Sequence, residues 1–323
     1  MRELKREPIL TDTFESASLF TPVPGSAYIY RVGNEDRSGH TGQWGQSCTD
    51  VQLIEVTTES VSGFQVSGVE EEFFLRSAAS LSGLLAPLGT GRVLYVDITG
   101  LSHPTWAALI RAAIAARMEV RAVYVEPYRY KRSPAPLEGQ IYDLSARIAG
   151  IAPMPGFATI STTEESVFVP LLGFEGARFR HVIEQVQPSH ERIVPVVGIP
   201  GFKPWYVFET YMGNRAALEE TSAWHHIEFV PANCPFSCFY LLQELARRHP
   251  NSTLKVAMIG TKPHALGAVM FALTSPSRIE LIYDNPIRKD GRTDGLDRLL
   301  VYHVGAITAG AGGSSMTTGA GRR

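Results

Sequence analysis

Cysteine is scarce, with three residues in a chain of 323. That number builds no disulfide framework and suits a reducing compartment. An excess of one charge sign is also missing. Thirty Lys+Arg face 32 Asp+Glu, a net charge of −2. This balance excludes a strongly basic nucleic-acid binder, although local basic patches stay open. No stretch approaches the ~18 apolar residues of a membrane span. The stretch Met1–Leu10 is charged and lacks the apolar centre of a signal peptide. A cytoplasmic location is therefore expected. The chain has no G-x-x-x-x-G-K-[ST] loop, no G-x-S-x-G elbow and no H-E-x-x-H. It also has no G-x-G-x-x-G after a strand, so NAD binding of the usual kind is unsupported.

What is present is an ordinary globular mixture, 44% hydrophobic and 19% charged. The length suits one large or two medium domains. Residues 1–90 read as an N-terminal β/loop region, with short strands at 26–32, 51–57 and 62–67. The loop Asn34-Glu35-Asp36-Arg37-Ser38 reads as solvated. Glu70–Glu72 suit the first turn of a helix over 70–84, where the helix dipole is positive. From residue 92, strands alternate with helices of 10–15 residues, the pattern of βαβ crossovers. The fold class expected is α/β, a Rossmann-like, mostly parallel doubly wound sheet over 91–304. The Pro-rich connection from Glu126 to about Ile160 is expected to hold a short helix near Tyr142–Ile148. On the helix Lys203–Leu218, Trp205, Phe208 and Met212 form one stripe, and Trp205 reads as core. The tail 305–323 is Gly/Ser-rich and expected to be flexible.

Ligands in such sheets lie beyond the C-terminal strand ends. Two of those ends resemble each other. One runs Val96-Asp97-Ile98-Thr99-Gly100-Leu101-Ser102-His103-Pro104. The other runs Ala257-Met258-Ile259-Gly260-Thr261-Lys262-Pro263-His264. Each places glycine, hydroxyl and cationic groups before a proline suited to a helix start. Glycine permits close backbone approach, and free helix N–H groups favour an anion. The candidate ligand-binding residues are therefore Thr99, Gly100, Ser102, His103, Gly260, Thr261, Lys262 and His264. The bland alternative is that any parallel α/β sheet needs such capped turns.

Asp97, Glu175, His103 and His264 are candidates for acid/base chemistry. Asp97 serves equally as a cap for backbone N–H groups, and Glu175 as a residue favoured at a helix start. The segment Tyr283–Asp294, with Arg288 and Arg292, reads as a solvent-facing connection, with closure over a ligand as the alternative. Cys234 and Cys238, near His225 and His226, read as core thiols rather than zinc ligands. No metal and no cofactor is expected beyond a nucleotide ligand.

The phrases D-I-T-G-x-S (Asp97–Ser102) and G-T-K-P-x-A-L (Gly260–Leu266) resemble the strand-turn-helix signature of CRISPR-associated Rossmann-fold (CARF) domains. They are also similar to SAVED sensor domains, which fuse two such units. The resemblance implies binding of a cyclic oligonucleotide messenger in prokaryotic antiviral defence, with its phosphates against the two turns. No nuclease, protease or membrane-helix segment accompanies the motifs, so an effector on a partner chain is implied. The expectation is a nucleotide-binding sensor, or a partner subunit in a protein complex or homo-oligomer. The alternatives are a nucleotide-processing hydrolase or transferase using Asp97, Glu175 and a histidine, and a non-catalytic assembly subunit.

Overall fold

Runs of β-branched and aromatic residues, punctuated by Gly and Pro, become the strands of a computed structural model. It describes residues 10–137, 140–158 and 165–308. In chain order the strands are β1 (Thr11–Phe14), β2 (Ala27–Tyr30), β3 (Gln52–Glu59), β4 (Gly63–Val66), β5 (Phe73–Phe74), β6 (Val93–Asp97), β7 (Glu119–Tyr130), β8 (Arg132–Leu137), β9 (Gln140–Tyr142), β10 (Ser145–Ile148), β11 (Ala152–Pro153), β12 (Ser166–Leu171), β13 (Val196–Gly198), β14 (Glu228–Val230), β15 (Thr253–Met258), β16 (Ile279–Tyr283), β17 (Pro286–Arg288) and β18 (Thr293–Tyr302). The helices are α1 (Ala78–Leu85), α2 (His103–Ala115), α3 (Gly176–Val186), α4 (Tyr206–Glu220), α5 (Pro235–Arg248), α6 (Lys262–Thr274) and α7 (Gly305–Thr308).

The fold is α/β, built on two mixed sheets. The first has the order β1-β18-β7-β6-β2-β3-β4-β5, the second β11-β16-β15-β12-β13-β14. The centre of each is parallel: β7-β6-β2-β3 in the first and β16-β15-β12-β13-β14 in the second. Antiparallel strands add the edges. In the first sheet the chain steps from β2 to β3, then returns to β6 on the other side of β2. In the second it steps from β12 to β13 and β14, then returns to β15 on the other side of β12. Each reversal is a topological switch point, where a crevice opens beyond the strand ends.

One apolar cluster joins Val96, Leu109 and Tyr302 to Val169, Leu242 and Phe271, so the two sheets share a core. Helix α6 is buried on nearly every side, from Lys262 to Ala272. It packs on α2 and α5 within that core. The outer face of the second sheet is covered by α3 and α4 through Phe179, Val182, Ala217 and Leu218. On the outer face of the first sheet, short 3₁₀ turns at Ala17–Leu19 and Asp36–Gln43 lie over an aromatic cluster of Phe20, Tyr28, Trp44 and Tyr95.

Several expectations change. The single sheet over 91–304 is two sheets, and no sheet break falls at residue 90, because β2 and β3 lie beside β6. Alternation identifies strands but not their partners. Strand β18 returns across the chain to β7, with Leu299 and Val301 in one apolar cluster and Leu300 and Tyr302 in another. A strand buried on both faces belongs inside a sheet. The helix expected near Tyr142–Ile148 is extended, and β10 pairs with β17. The helix expected from residue 70 begins at Ala78, capped by Ser77. The solvated reading of 34–38 fails for Arg37 and Ser38, both buried. The tail beyond residue 308 lies outside the described residues.

The stripe on α4 has the right period and the wrong phase. Trp205, just before it, is 51% exposed, Phe208 68% and Met212 53%, whereas Tyr206, Glu209, Thr210 and Gly213 are turned inward. The cause is a glycine contact. A Cβ on Gly176 would lie 1.9 Å from Gly213 O, and one on Gly213 2.2 Å from Phe174 O. The small face of α4 must therefore face α3. Gly100 is similarly confined, since a Cβ there would lie 1.9 Å from Arg31 O. Gly100→Ala is expected to destabilise by about 1–3 kcal/mol through overpacking. The midpoint of urea unfolding measures it, and an unchanged midpoint would refute the confinement.

Candidate functional site

The two resembling turns lie at the two switch points. Ser102 caps α2 by accepting the Thr105 N–H, and Thr261 caps α6 by accepting the His264 N–H. Pro104 and Pro263 follow, where a missing N–H costs nothing. Lys262 joins the turns. Its buried ammonium donates to Thr99 O and Leu101 O, both at 2.7 Å. Burial first, then Arg288 and Arg37, hold its pKa well below the usual lysine value.

Much of the remaining polarity is used within the protein. Thr99 N–H donates to Asp97 Oδ1 at 2.7 Å, and Thr99 Oγ1 accepts Val125 N–H at 2.9 Å. Asp97 is fully buried with His40 Nε2 3.5 Å away. Burial opposes its ionisation, but His40 and Thr99 outweigh burial and lower its pKa. Ser102 N–H donates to Glu59 at 2.9 Å. Thr261 Oγ1 donates to Ala232 O at 2.8 Å, and His264 Nε2 lies 2.9 Å from Pro231 O. Burial lowers the His264 pKa to about 4 against the pull of its backbone hydrogen bonds. Gly100 and Gly260 are needed for chain neighbours. A Cβ on Gly260 would lie 2.7 Å from the carbonyl oxygens of Leu171 and Leu172. Glu175 accepts the N–H groups of Leu144 and Ser145, at 2.9 and 2.8 Å, and fixes that segment. Asp97 and Glu175 thus serve separate backbone segments.

Between the turns lies a small chamber of about 40 Å³. Five cationic side chains line it: Arg37, Arg178, Lys262, Arg288 and Arg292. It shares Tyr130, Gly260, Thr261, Arg178 and Arg292 with a cavity of about 80 Å³ at the second switch point. Tyr130, Phe174, Phe202 and Tyr206 line that cavity. On the other side, it shares Pro286 and Arg288 with a polar cavity of about 270 Å³ at the first switch point.

The countercharge is incomplete. Glu35 accepts from Arg37 at 2.8 Å and from Arg292 at 2.6 Å. Asp284 accepts two hydrogen bonds from Arg178, at 2.6 and 2.7 Å. Arg288 and Lys262 have no carboxylate partner among the described residues. Arg292 is held below the usual arginine value by burial and then by Arg288. His103 is buried beside them, stacked on Tyr283 at 4.8 Å, with Nδ1 3.4 Å from Arg288 Nη2. Burial, then Arg288, Lys262 and Arg178, lower its pKa well below the usual histidine value.

Of the residues named from sequence, His103, Gly260, Thr261 and Lys262 line the chamber, while Thr99, Gly100 and Ser102 line the polar cavity beside it. His264 caps a neighbouring loop. The two sequence motifs do not include the arginines. Arg288 and Arg292 were visible as a basic cluster past a strand. Arg178 follows the Gly-Phe-Glu-Gly turn, and nothing local marks Arg37. Among the described residues, no group of His, Cys, Asp and Glu is placed to hold a metal ion. No described helix is long and apolar enough to cross a membrane. Comparison with known proteins finds no family model and no curated protein that matches the chain.

Proposed function

We propose that the chain binds a phosphate-bearing nucleotide between two Rossmann-like units, and works as a sensor or partner subunit in bacterial antiviral defence. The observation that carries the reading is the arginine-lined chamber between two capped turns. A buried lysine and a half-buried arginine that both lack carboxylates favour an anion. The match in topology between the two parallel blocks supports the likeness to SAVED domains, which pair two such units. The exposed stripe of Trp205, Phe208 and Met212 suits a protein partner.

Calorimetry against nucleoside mono-, di- and triphosphates and cyclic mono- and oligonucleotides tests the reading. At least one is expected to bind. Arg288→Ala is expected to weaken it about 10- to 100-fold, as loss of a charge-assisted contact does. Absence of binding across the panel, or an unchanged affinity in the variant, refutes the reading. Mass analysis of the recovered ligand separates a sensor, which leaves it intact, from a hydrolase.

A further inference from the structure

We infer that one nucleoside of the ligand lies in the polar cavity at the first switch point, with its neighbouring phosphate in the chamber. The inference rests on the nucleotide reading above and gives that ligand a direction, whether it is a mononucleotide, a chain or a ring.

Charge separates the two compartments. Five cations line the chamber, so it suits a phosphate. The polar cavity is balanced. Three carboxylates, those of Glu35, Glu59 and Asp290, line it together with three cations, Arg31, Arg288 and Lys289. A second phosphate there would meet the carboxylates, whereas a nucleoside is uncharged at neutral pH. Arg31 offers it a hydrogen bond. The Nη1 of that residue lies 3.1 Å from Glu59, but its Nε is buried without a partner among the described residues. A buried N–H of this kind calls for an acceptor, such as a sugar oxygen or a ring nitrogen of a base. Pro286 and Arg288 border both compartments, so a sugar and its phosphate can lie side by side across them.

Size points the same way. About 270 Å³ is close to the lower end of small-ligand pockets, roughly 300–1,000 Å³. The cavity at the second switch point has only about 80 Å³, and its rings hold one another. The Phe174 ring lies 5.4 Å from that of Tyr130 and 5.0 Å from that of Tyr206. The Tyr206 hydroxyl also accepts the Tyr130 N–H at 3.0 Å. A base could enter there only by breaking that packing. The two switch points are alike in topology and unequal as places for a nucleoside.

The test fills the polar cavity from its wall. Gly33 lines it and has no left-handed φ, and a Cβ there would lie 3.6 Å from Ser38 Oγ, an ordinary contact. Calorimetry on the full chain compares inorganic phosphate, which probes the chamber alone, with the tightest binder among the nucleotides named above. Gly33→Leu is expected to weaken the nucleotide about 10-fold or more and inorganic phosphate less than about 2-fold. Asn34→Trp, at an exposed position on the same wall, is expected to act alike and serves should the first variant unfold. Phe202→Ala, in the wall of the second cavity, is expected to change nucleotide affinity less than about 2-fold. Unchanged nucleotide affinity in the filled variants overturns the inference and leaves the nucleotide reading standing. So does an equal loss of phosphate and nucleotide, or a larger loss in Phe202→Ala. Failure of every nucleotide to bind the wild type removes the reading as well.

Discussion

Asp284→Ala is expected to lower the unfolding free energy by about 3–5 kcal/mol, the cost of stranding one charge of a buried pair. Asp284 stands just past β16 and is fully buried. Both of its oxygens accept from Arg178, at 2.6 and 2.7 Å, and the Arg178 side chain is 13% exposed. Burial, the largest influence on Arg178, works against its charge, yet Asp284 and then Glu175 raise its pKa above the usual value. Without Asp284, Arg178 would share the chamber with Arg37, Lys262, Arg288 and Arg292, a cluster already short of countercharge. Asp284→Asn keeps the shape and loses the charge, so most of the loss is expected there too. Removing both partners, as Arg178→Met with Asp284→Ala, is expected to recover much of it, because no stranded charge remains. Urea unfolding of the three variants decides the matter, with a shifted midpoint and an unchanged slope. A loss below about 1 kcal/mol in the single variants would show a screened pair of surface strength.

The turns were legible in sequence because their chemistry is local. Gly, Thr or Ser, then Pro before an apolar helix is a strand-to-helix junction wherever it occurs. Ser102 and Thr261 do cap their helices. The chamber was not legible, because its side chains come from distant segments. Arg37 reaches Val125 O, 88 positions away, and Arg178 reaches Asp284, 106 away. Lys262 stands out in sequence by its charge, but its two carbonyl contacts lie 163 and 161 positions away in the other turn. The two-sheet division was hidden for the same reason. A parallel strand reads alike whichever neighbour it takes, and only pairing reveals that β6 and β15 belong to different sheets. The α4 stripe shows another limit. Periodicity gives the spacing of a face, while the Gly176–Gly213 contact decides which face turns inward.

Acid is expected to strip stability from the protein through Glu35, and Glu35→Gln to remove that sensitivity at a large cost near neutrality. Glu35 accepts from Arg37 at 2.8 Å, from Arg292 at 2.9 and 2.6 Å, and from Thr293 Oγ1 at 2.8 Å. Burial alone would raise its pKa. Arg37, Arg292 and Arg288 outweigh burial and hold it far below the ordinary value of 4.5. Above that value the carboxylate is ionised whether the chain is folded or not, and its contribution is fully present. Below it, the unfolded chain takes up a proton that the folded chain refuses. Stability then falls by about 1.4 kcal/mol per pH unit from this group. Asp97, also lowered, acts in the same direction. Glu35→Gln is expected to cost about 3–5 kcal/mol at pH 7, since Arg37 and Arg292 lose their shared anion. The gap between wild type and variant should narrow as pH falls from 4 to 2. Urea midpoints measured across that range check this, and parallel profiles would refute it. The same variant probes the chamber. One further unbalanced cation should tighten phosphate binding while weakening the fold. Added phosphate should then restore more stability to Glu35→Gln than to the wild type, since a ligand that binds the folded state more tightly stabilises it more. Equal recovery in both would separate Glu35 from the anion site.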